Sequence, residues 1–392
     1  MPELSNRIRH VIPPGQPDGW ELHYEARRRK SEGQDIILLS VGDHDIKTDR
    51  AVIEAMQRSA EGGNLGYAAV PGSNALRRAI ADRVSTRTAV PARAENVIVT
   101  SGGQGAIFAA MMTVLDPGSA CVILDPYYAT FDVTVRAVSA VPIIVPTLAD
   151  EGFQPDAARI EAALTPETRA ILINTPNNPT GAVYTRERLE ALAELCVRRD
   201  LWLISGELYD SQVHDGTHFS PRDLPDMAER TIVIGSMSKG HAMTGARVGW
   251  AVAPEFAIVN MADLSGATNY GLPGFIQDAA LFALTEYPEQ EAQVAARYKR
   301  RRDLCVAALG NGSGVRVAPP QGGMYVMLDI RETGLSGETF GQRLLDEEGI
   351  GVMPGESFGQ SAAGHLRIAM TVADEQLEDA MRRIAALAAR LA

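Results

Sequence analysis

The 392-residue sequence predicts an α/β fold: a mostly parallel central sheet in a large unit, followed by a smaller α+β C-terminal unit. Three observations carry this expectation. Short apolar runs alternate with helical patterns from about residue 96 to residue 252, the rhythm of a parallel sheet covered on both faces. Near Tyr287 that rhythm gives way to one long charged helix and then to shorter strands. The length suits two domains of about 100–200 residues each, and 45% hydrophobic residues is enough for a large core.

Taken in order, residues 1–19 contain Pro13-Pro14-Gly15 and read as an extended arm, and Trp20–Lys30 as a helix. Asp35–Val41 is a buried-strand run, and a helix follows over Arg50–Ala60. Strands are expected at Asn96–Thr100, Cys121–Leu124, Val141–Val145, Ala170–Asn174, Leu201–Ser205, Thr231–Ile234 and Gly249–Val252, with helices such as Gln104–Leu115 and Arg186–Arg199 between them. The later part predicts a helix over Pro288–Leu309 and strands at Val315–Val317, Met324–Leu328, Val352–Met353 and His365–Met370. Helices are expected at Gly337–Glu347 and Asp374–Leu391. The resulting division is 1–45, an arm and helix packing on the small domain; 46–287, the large domain; and 288–392, the small domain.

A net charge of −12 argues against nucleic acid or an anionic membrane as the main partner. The basic clusters Arg27–Lys30 and Lys299–Arg302 read as solvated helix faces. Three widely spaced cysteines, Cys121, Cys196 and Cys305, suggest reduced core residues and a cytoplasmic location. The first fifteen residues have no apolar core like that of a signal peptide, and no run approaches the ~20 apolar residues of a membrane span. No metal-ligand cluster is expected.

The chemistry concentrates in Ser236-Met-Ser-Lys-Gly-His-Ala-Met-Thr-Gly-Ala-Arg-Val-Gly-Trp250. A lysine amine that loses its proton can form a Schiff base, and a nearby cation such as Arg247 favours that loss. The planar fork of Arg247 suits phosphate, and Ser236 and Ser238 add hydroxyls. Gly245 and Gly249 let the backbone double back, so that Lys239 and Arg247 can face one ligand. Together they describe a site for a phosphorylated aldehyde. Thr100-Ser-Gly-Gly-Gln-Gly105, between a strand and a helix, reads as a phosphate cradle in which the backbone of Gly103 and Gln104 faces the anion. A dinucleotide site fails on spacing, because position 108 is Phe108 where G-x-G-x-x-G needs glycine.

These stretches resemble fold-type I pyridoxal-phosphate (PLP) enzymes, whose lysine motif is Ser-x-Ser-Lys, five residues, then Gly-x-Arg-x-Gly. Asn177-Asn178-Pro179-Thr180-Gly181 resembles the Asn-Pro-Thr-Gly motif of class I/II aminotransferases, and the likeness covers nearly the whole chain. Further stretches, among them Trp20–Tyr24, His241–Gly245, Phe275–Ala280 and Ala363–Arg367, are similar to the bacterial arginine–pyruvate transaminases.

The resemblance implies a PLP-dependent aminotransferase acting on an amino acid, possibly arginine, and a 2-oxo acid such as pyruvate. It implies that Lys239 is catalytic and carries the cofactor. Ser236, Ser238, Arg247, Gly103 and Gln104 would hold its phosphate, with Tyr128 against the ring and Asn178 and Tyr209 on its phenolic oxygen. Arg367, with Gly42 and Asn178, would take the substrate carboxylate. Tyr67 would cross a homodimer interface to the neighbouring phosphate, and Tyr270 lies in a segment reaching the partner's site.

Two positions depart from the family. Gly206 stands where relatives carry an aspartate that keeps the pyridine nitrogen protonated. Its neighbour Glu207 should point to the opposite face of the strand. His44 stands where proline is common. Gly206 keeps further readings open: a PLP-dependent lyase, cyclase or oxidase, or a weakly active PLP-binding protein. An arginine donor would need an acid for its guanidinium, and Asp43, Asp45 and Glu25 are available.

Overall fold

A computed structural model describes residues 2–12, 19–309 and 314–391. Seven strands form the central sheet: β2 (Val97–Ser101), β3 (Ala120–Asp125), β4 (Val141–Pro146), β5 (Thr168–Asn174), β6 (Trp202–Gly206), β7 (Thr231–Ser236) and β8 (Val248–Val252). Their order is β2-β8-β7-β6-β5-β3-β4. β8 runs antiparallel to both of its neighbours, and the other pairings are parallel. The connection from Ser236 to Val248 is too short for a crossover helix, so the chain returns antiparallel. β5, β6 and β7 are almost wholly buried, which explains their unbroken apolar runs.

The register brings one row of residues to a single edge. Asn174 lies opposite Gly206, Gly206 opposite Ile234, and Ser101 opposite Val248. The carboxyl ends of β2, β5, β6 and β7 therefore open onto the same crevice as the start of β8, the expected ligand edge of such a sheet. The strand order also differs from that of a dinucleotide-binding sheet, which agrees with the failed glycine spacing.

The second sheet is β9 (Arg316–Val317), β10 (Tyr325–Asp329), β12 (Met353–Pro354) and β13 (His365–Ala369), all antiparallel. Helices Glu289–Leu309, Gly337–Glu348 and Asp374–Leu391 accompany it. Leu22, Ala26, Ile37 and Leu39 join Tyr298, Phe340, Leu344, Leu377 and Ile384 in one apolar cluster. β1 (Ile37–Leu38) pairs in parallel with β11 (Ile350–Gly351).

The structure corrects several expectations. Asp35–Val41 forms only the two-residue β1, because the chain bends at Ser40 and Val41 towards the site. Within the arm, Asn6–Arg9 is a short helix whose Arg7 Nε donates to Ser139 Oγ at 2.8 Å, beside helix Phe131–Ala137 rather than against the C-terminal sheet. Pro13-Pro14-Gly15 lies outside the described residues. The cluster Lys299–Arg302 is solvated only in its first half: Lys299 and Arg300 are exposed, whereas Arg301 and Arg302 are buried. Arg301 binds Asp45 and Asp374, and Arg302 binds Asp215 and Asp303. All three cysteines are free and buried, and burial pushes each thiol up to about 12.

Candidate active site

A cavity of about 400 Å³ opens at the carboxyl edge of the central sheet. Lys239 enters it from the short helix Met237–Gly240, which follows β7 directly. Ser236 Oγ caps that helix by accepting from Ser238 N at 2.9 Å, and Gln212 Nε2 donates to Lys239 O at 2.9 Å. The Lys239 amine donates to Gly42 O. Gly42 is required at that point, since a Cβ there would overlap the Tyr325 hydroxyl.

One end of the cavity suits a phosphate. Helix Gly102–Val114 starts there, so its first-turn N–H groups and its dipole favour an anion. It begins two residues earlier than predicted, with Gly102 at φ +74°. A Cβ on Gly102 would overlap the Arg247 guanidinium, and one on Gly249 would overlap the backbone of Gly102 and Gly103. The missing side chains therefore let Arg247 lie against the helix N-terminus. Arg247 NH1 donates to Thr244 O at 2.7 Å. Gly103, Gln104 and Ser238 complete this end.

Tyr128 and Leu208 supply apolar walls. Burial, with Tyr325 nearby, pushes the Tyr128 phenol up. Asn178 is fixed through its backbone N–H, which donates to Asn174 Oδ1 at 2.9 Å. Tyr209 Oη donates to Tyr325 Oη at 3.4 Å. Burial and the adjoining Tyr325 drive the Tyr209 phenol well above its usual range. Burial also opposes ionisation of Tyr325, but the positive charges of Lys239 and Arg367 outweigh it and hold that phenol below its usual range.

Arg367 lies behind this wall rather than in it. It is 1% exposed, and its guanidinium carbon sits 4.4 Å from the ring centres of both Tyr325 and Phe358. NH1 donates to Asn178 Oδ1 at 3.1 Å and NH2 to Ser40 O. Nε is buried without a partner, and no carboxylate pairs with Arg367 among the described residues. A buried cation without an acid is costly, so the position fits an anionic ligand.

Not every expected residue converges. Ser236 is absent from the cavity wall, and its hydroxyl contacts Val248 O and Ser238 Oγ instead. Tyr67 and Tyr270 stand outside this chain's cavity, 90% and 55% exposed, with ring centres 5.1 Å apart. Glu207 turns away from the crevice to Ser205, Ser220 and His218. His44 bridges Tyr298 Oη at 2.8 Å and Ser238 O at 3.1 Å. Burial, reinforced by Lys239, lowers its pKa to about 4, so the ring is neutral: Tyr298 donates to Nδ1, and Nε2–H donates to Ser238 O. Sequence reasoning gave no role to Tyr325, Leu208, Asn174 or Thr244. Tyr325 opens β10, inside the strand expected at Met324–Leu328, and strand periodicity does not say that its hydroxyl reaches the site.

An amine, an anion cradle with an arginine, and two apolar walls fit a phosphorylated aromatic aldehyde. The model of the family "Aminotransferase class I and II" matches residues 34–384. The arginine–pyruvate transaminase of Pseudomonas aeruginosa is 45% identical over 95% of both chains. The aspartate/prephenate aminotransferase of Thermus thermophilus is 36% identical over the full length of both. The solved structure of Thermus thermophilus aspartate aminotransferase with maleate has a TM-score of 0.92 at 35% identity, covering 99% of this chain and all of that one. These relatives are all aminotransferases, which disfavours the lyase, cyclase and oxidase readings. The chain belongs to the class I and II aminotransferases, enzymes that use pyridoxal phosphate to move an amino group from an amino acid to a 2-oxo acid.

Proposed function

We propose that this aminotransferase takes the amino group of arginine and passes it to pyruvate, as a cytoplasmic homodimer. One observation carries the site assignment. The Lys239 amine and the Arg367 guanidinium donate to carbonyls of the same short segment, Gly42 O and Ser40 O. Two residues of chain span at most about 7 Å. An amine and a carboxylate-binding fork are thus anchored to carbonyls two residues apart. The name and 45% identity of the Pseudomonas relative support arginine and pyruvate.

Lys239 would hold pyridoxal phosphate through its amine, with Arg247, Ser238 and the N–H groups of Gly103 and Gln104 on the phosphate. Ser236 would act through Ser238, as its cap. Tyr128 and Leu208 would enclose the ring, and Asn178 and Tyr209 would face its phenolic oxygen. Bound there, the cofactor supplies an electron-withdrawing ring that spreads the charge left when the α-proton leaves. The residues do the rest. Arg367, Asn178 and the backbone at Gly42 orient the substrate carboxylate, and Lys239 Nζ takes and returns the α-proton. Tyr128, Leu208 and Tyr325 exclude water.

The exposed Tyr67–Tyr270 pair supports the dimer. Asn269 Nδ2 donates to Ser101 Oγ, so the pair stands beside the cradle, where a second copy would share the site. The apolar cluster joining Leu22 and Ala26 to Phe340 and Leu344 supports a division at residues 45 and 287. The test is a panel of amino donors with pyruvate, scored for alanine. Arginine is expected to lead, and a panel in which it gives no alanine refutes the donor assignment. Borohydride reduction and peptide mass test Lys239: an untagged lysine refutes its role.

A further inference from the structure

We infer that Asp43 is the specificity residue that receives the positively charged end of the amino donor. This inference rests on the arginine reading above. The charged groups around the cavity are cationic apart from one. Lys239 and Arg247 line it, Arg367 lies directly behind it, and among the described residues Asp43 is the single carboxylate in its wall. The other acids within sequence reach are occupied elsewhere. Asp45 is held by both terminal nitrogens of Arg301, at 2.8 and 2.6 Å. Glu25 is held by Arg28 and Arg29.

Asp43 is placed as a recognition group would be. It follows Gly42, whose carbonyl meets the Lys239 amine, and lies three residues after Ser40, whose carbonyl meets Arg367. The segment from Ser40 to Asp43 thus runs from the carboxylate end of a substrate, past its α-carbon, to the cavity mouth. Three residues span at most about 10 Å, the reach of a long side chain. Thr244 Oγ1 donates to Asp43 Oδ1 at 2.7 Å and fixes the carboxylate. Among the described residues nothing bonds to Oδ2, so one oxygen remains for the ligand. A guanidinium or ammonium there would meet a pre-oriented carboxylate, whereas an acidic side chain would meet like charge. The substrate class is therefore long cationic amino acids.

The test compares the cofactor-loaded wild type with Asp43→Asn, with pyruvate as acceptor. Citrulline, the neutral analogue of arginine with nearly the same length and shape, is the reference donor. The quantity read is the ratio of kcat/KM for arginine to that for citrulline. The ratio is expected to fall roughly tenfold in Asp43→Asn, equivalent to one pair worth about 1.4 kcal/mol. Asp43→Glu, which keeps the charge, should retain more of the ratio than Asp43→Asn. A variant that folds or loads poorly lowers both rates and leaves the ratio untouched, so the readout survives that defect. An unchanged ratio in Asp43→Asn, or equal losses in both variants, overturns the assignment while leaving arginine as donor. A wild type that does not favour arginine over citrulline overturns the donor reading, and this inference with it.

Discussion

Arg367→Met keeps an unbranched apolar stem, shorter than the arginine, and removes the charge, so it separates what Arg367 does for substrate from what it does for the fold. The fold terms oppose one another. The substitution leaves Asn178 Oδ1 and Ser40 O without their donor, at about 1–3 kcal/mol each. It also ends two cation–ring contacts, worth about 1–2 kcal/mol each at a desolvated site. Against this, it removes a buried cation that no acid pairs, whose burial costs several kcal/mol. The melting temperature reads what is left of these opposed terms, separately from the substrate term. The substrate term has no such offset. Leaving a buried carboxylate without its partner costs about 2–5 kcal/mol, or roughly 30-fold to several-thousand-fold in kcat/KM. The assay compares arginine with agmatine, its analogue lacking the carboxylate. In the wild type arginine should be far better, and in Arg367→Met the two should converge. A variant that keeps the wild-type preference for arginine would refute carboxylate capture by Arg367.

Lys239→Ala should show no turnover above background in a pyruvate-coupled assay, because among the described residues no other amine lines the cavity. At Gly206 a Cβ would lie 3.4 Å from Asn174 Nδ2 and Ile173 O, so Gly206→Asp fits with small adjustments. It should raise transamination several-fold and extend the protonated cofactor's absorbance to higher pH, since a nearby anion stabilises the cation; an unmoved spectrum would show that the new carboxylate does not reach the ring. His44 has its pKa lowered to about 4 by burial, so the unfolded chain binds its proton first as the pH falls. Its contribution to stability is complete above about pH 6.5 and is lost between there and pH 4. His44→Gln should flatten the fall in melting temperature over that window, and an identical slope in both proteins would count against a neutral buried ring.

How much of this was legible in the sequence depended on the range of the interactions. The buried strands β5, β6 and β7 announced themselves as apolar runs, because burial on both faces leaves no polar alternation. The Lys239–Arg247 string was legible because a turn and an antiparallel return place its members together within fifteen residues. Arg301 and Arg302 were misread because a local pattern of four basic residues looks solvated, while their acids lie far off at Asp45, Asp374 and Asp215. His44 had no readable role for the same reason: its partners are 194 and 254 residues away. Ser236 sits in the motif, yet its hydroxyl turns to the backbone, an orientation spacing cannot specify.

Charge explains why these separate features form one site. The whole chain carries a net charge of −12, yet its central cavity gathers Lys239 and Arg247 in the wall and Arg367 behind it, against Asp43 alone. Such a cluster repels itself, and in the absence of ligand it is held by backbone carbonyls: Gly42 O for Lys239, Thr244 O for Arg247 and Ser40 O for Arg367. Neutral carbonyls hold cations in place without cancelling their charge. The full attraction remains for a phosphate at one end and a carboxylate at the other. An acid placed beside Arg367 would steady the empty protein and compete with the substrate. Such a change, for example Phe358→Glu, should raise KM for every α-amino acid donor alike, with little effect on cofactor retention. A rise confined to arginine would mean that Arg367 reads the side chain and not the carboxylate.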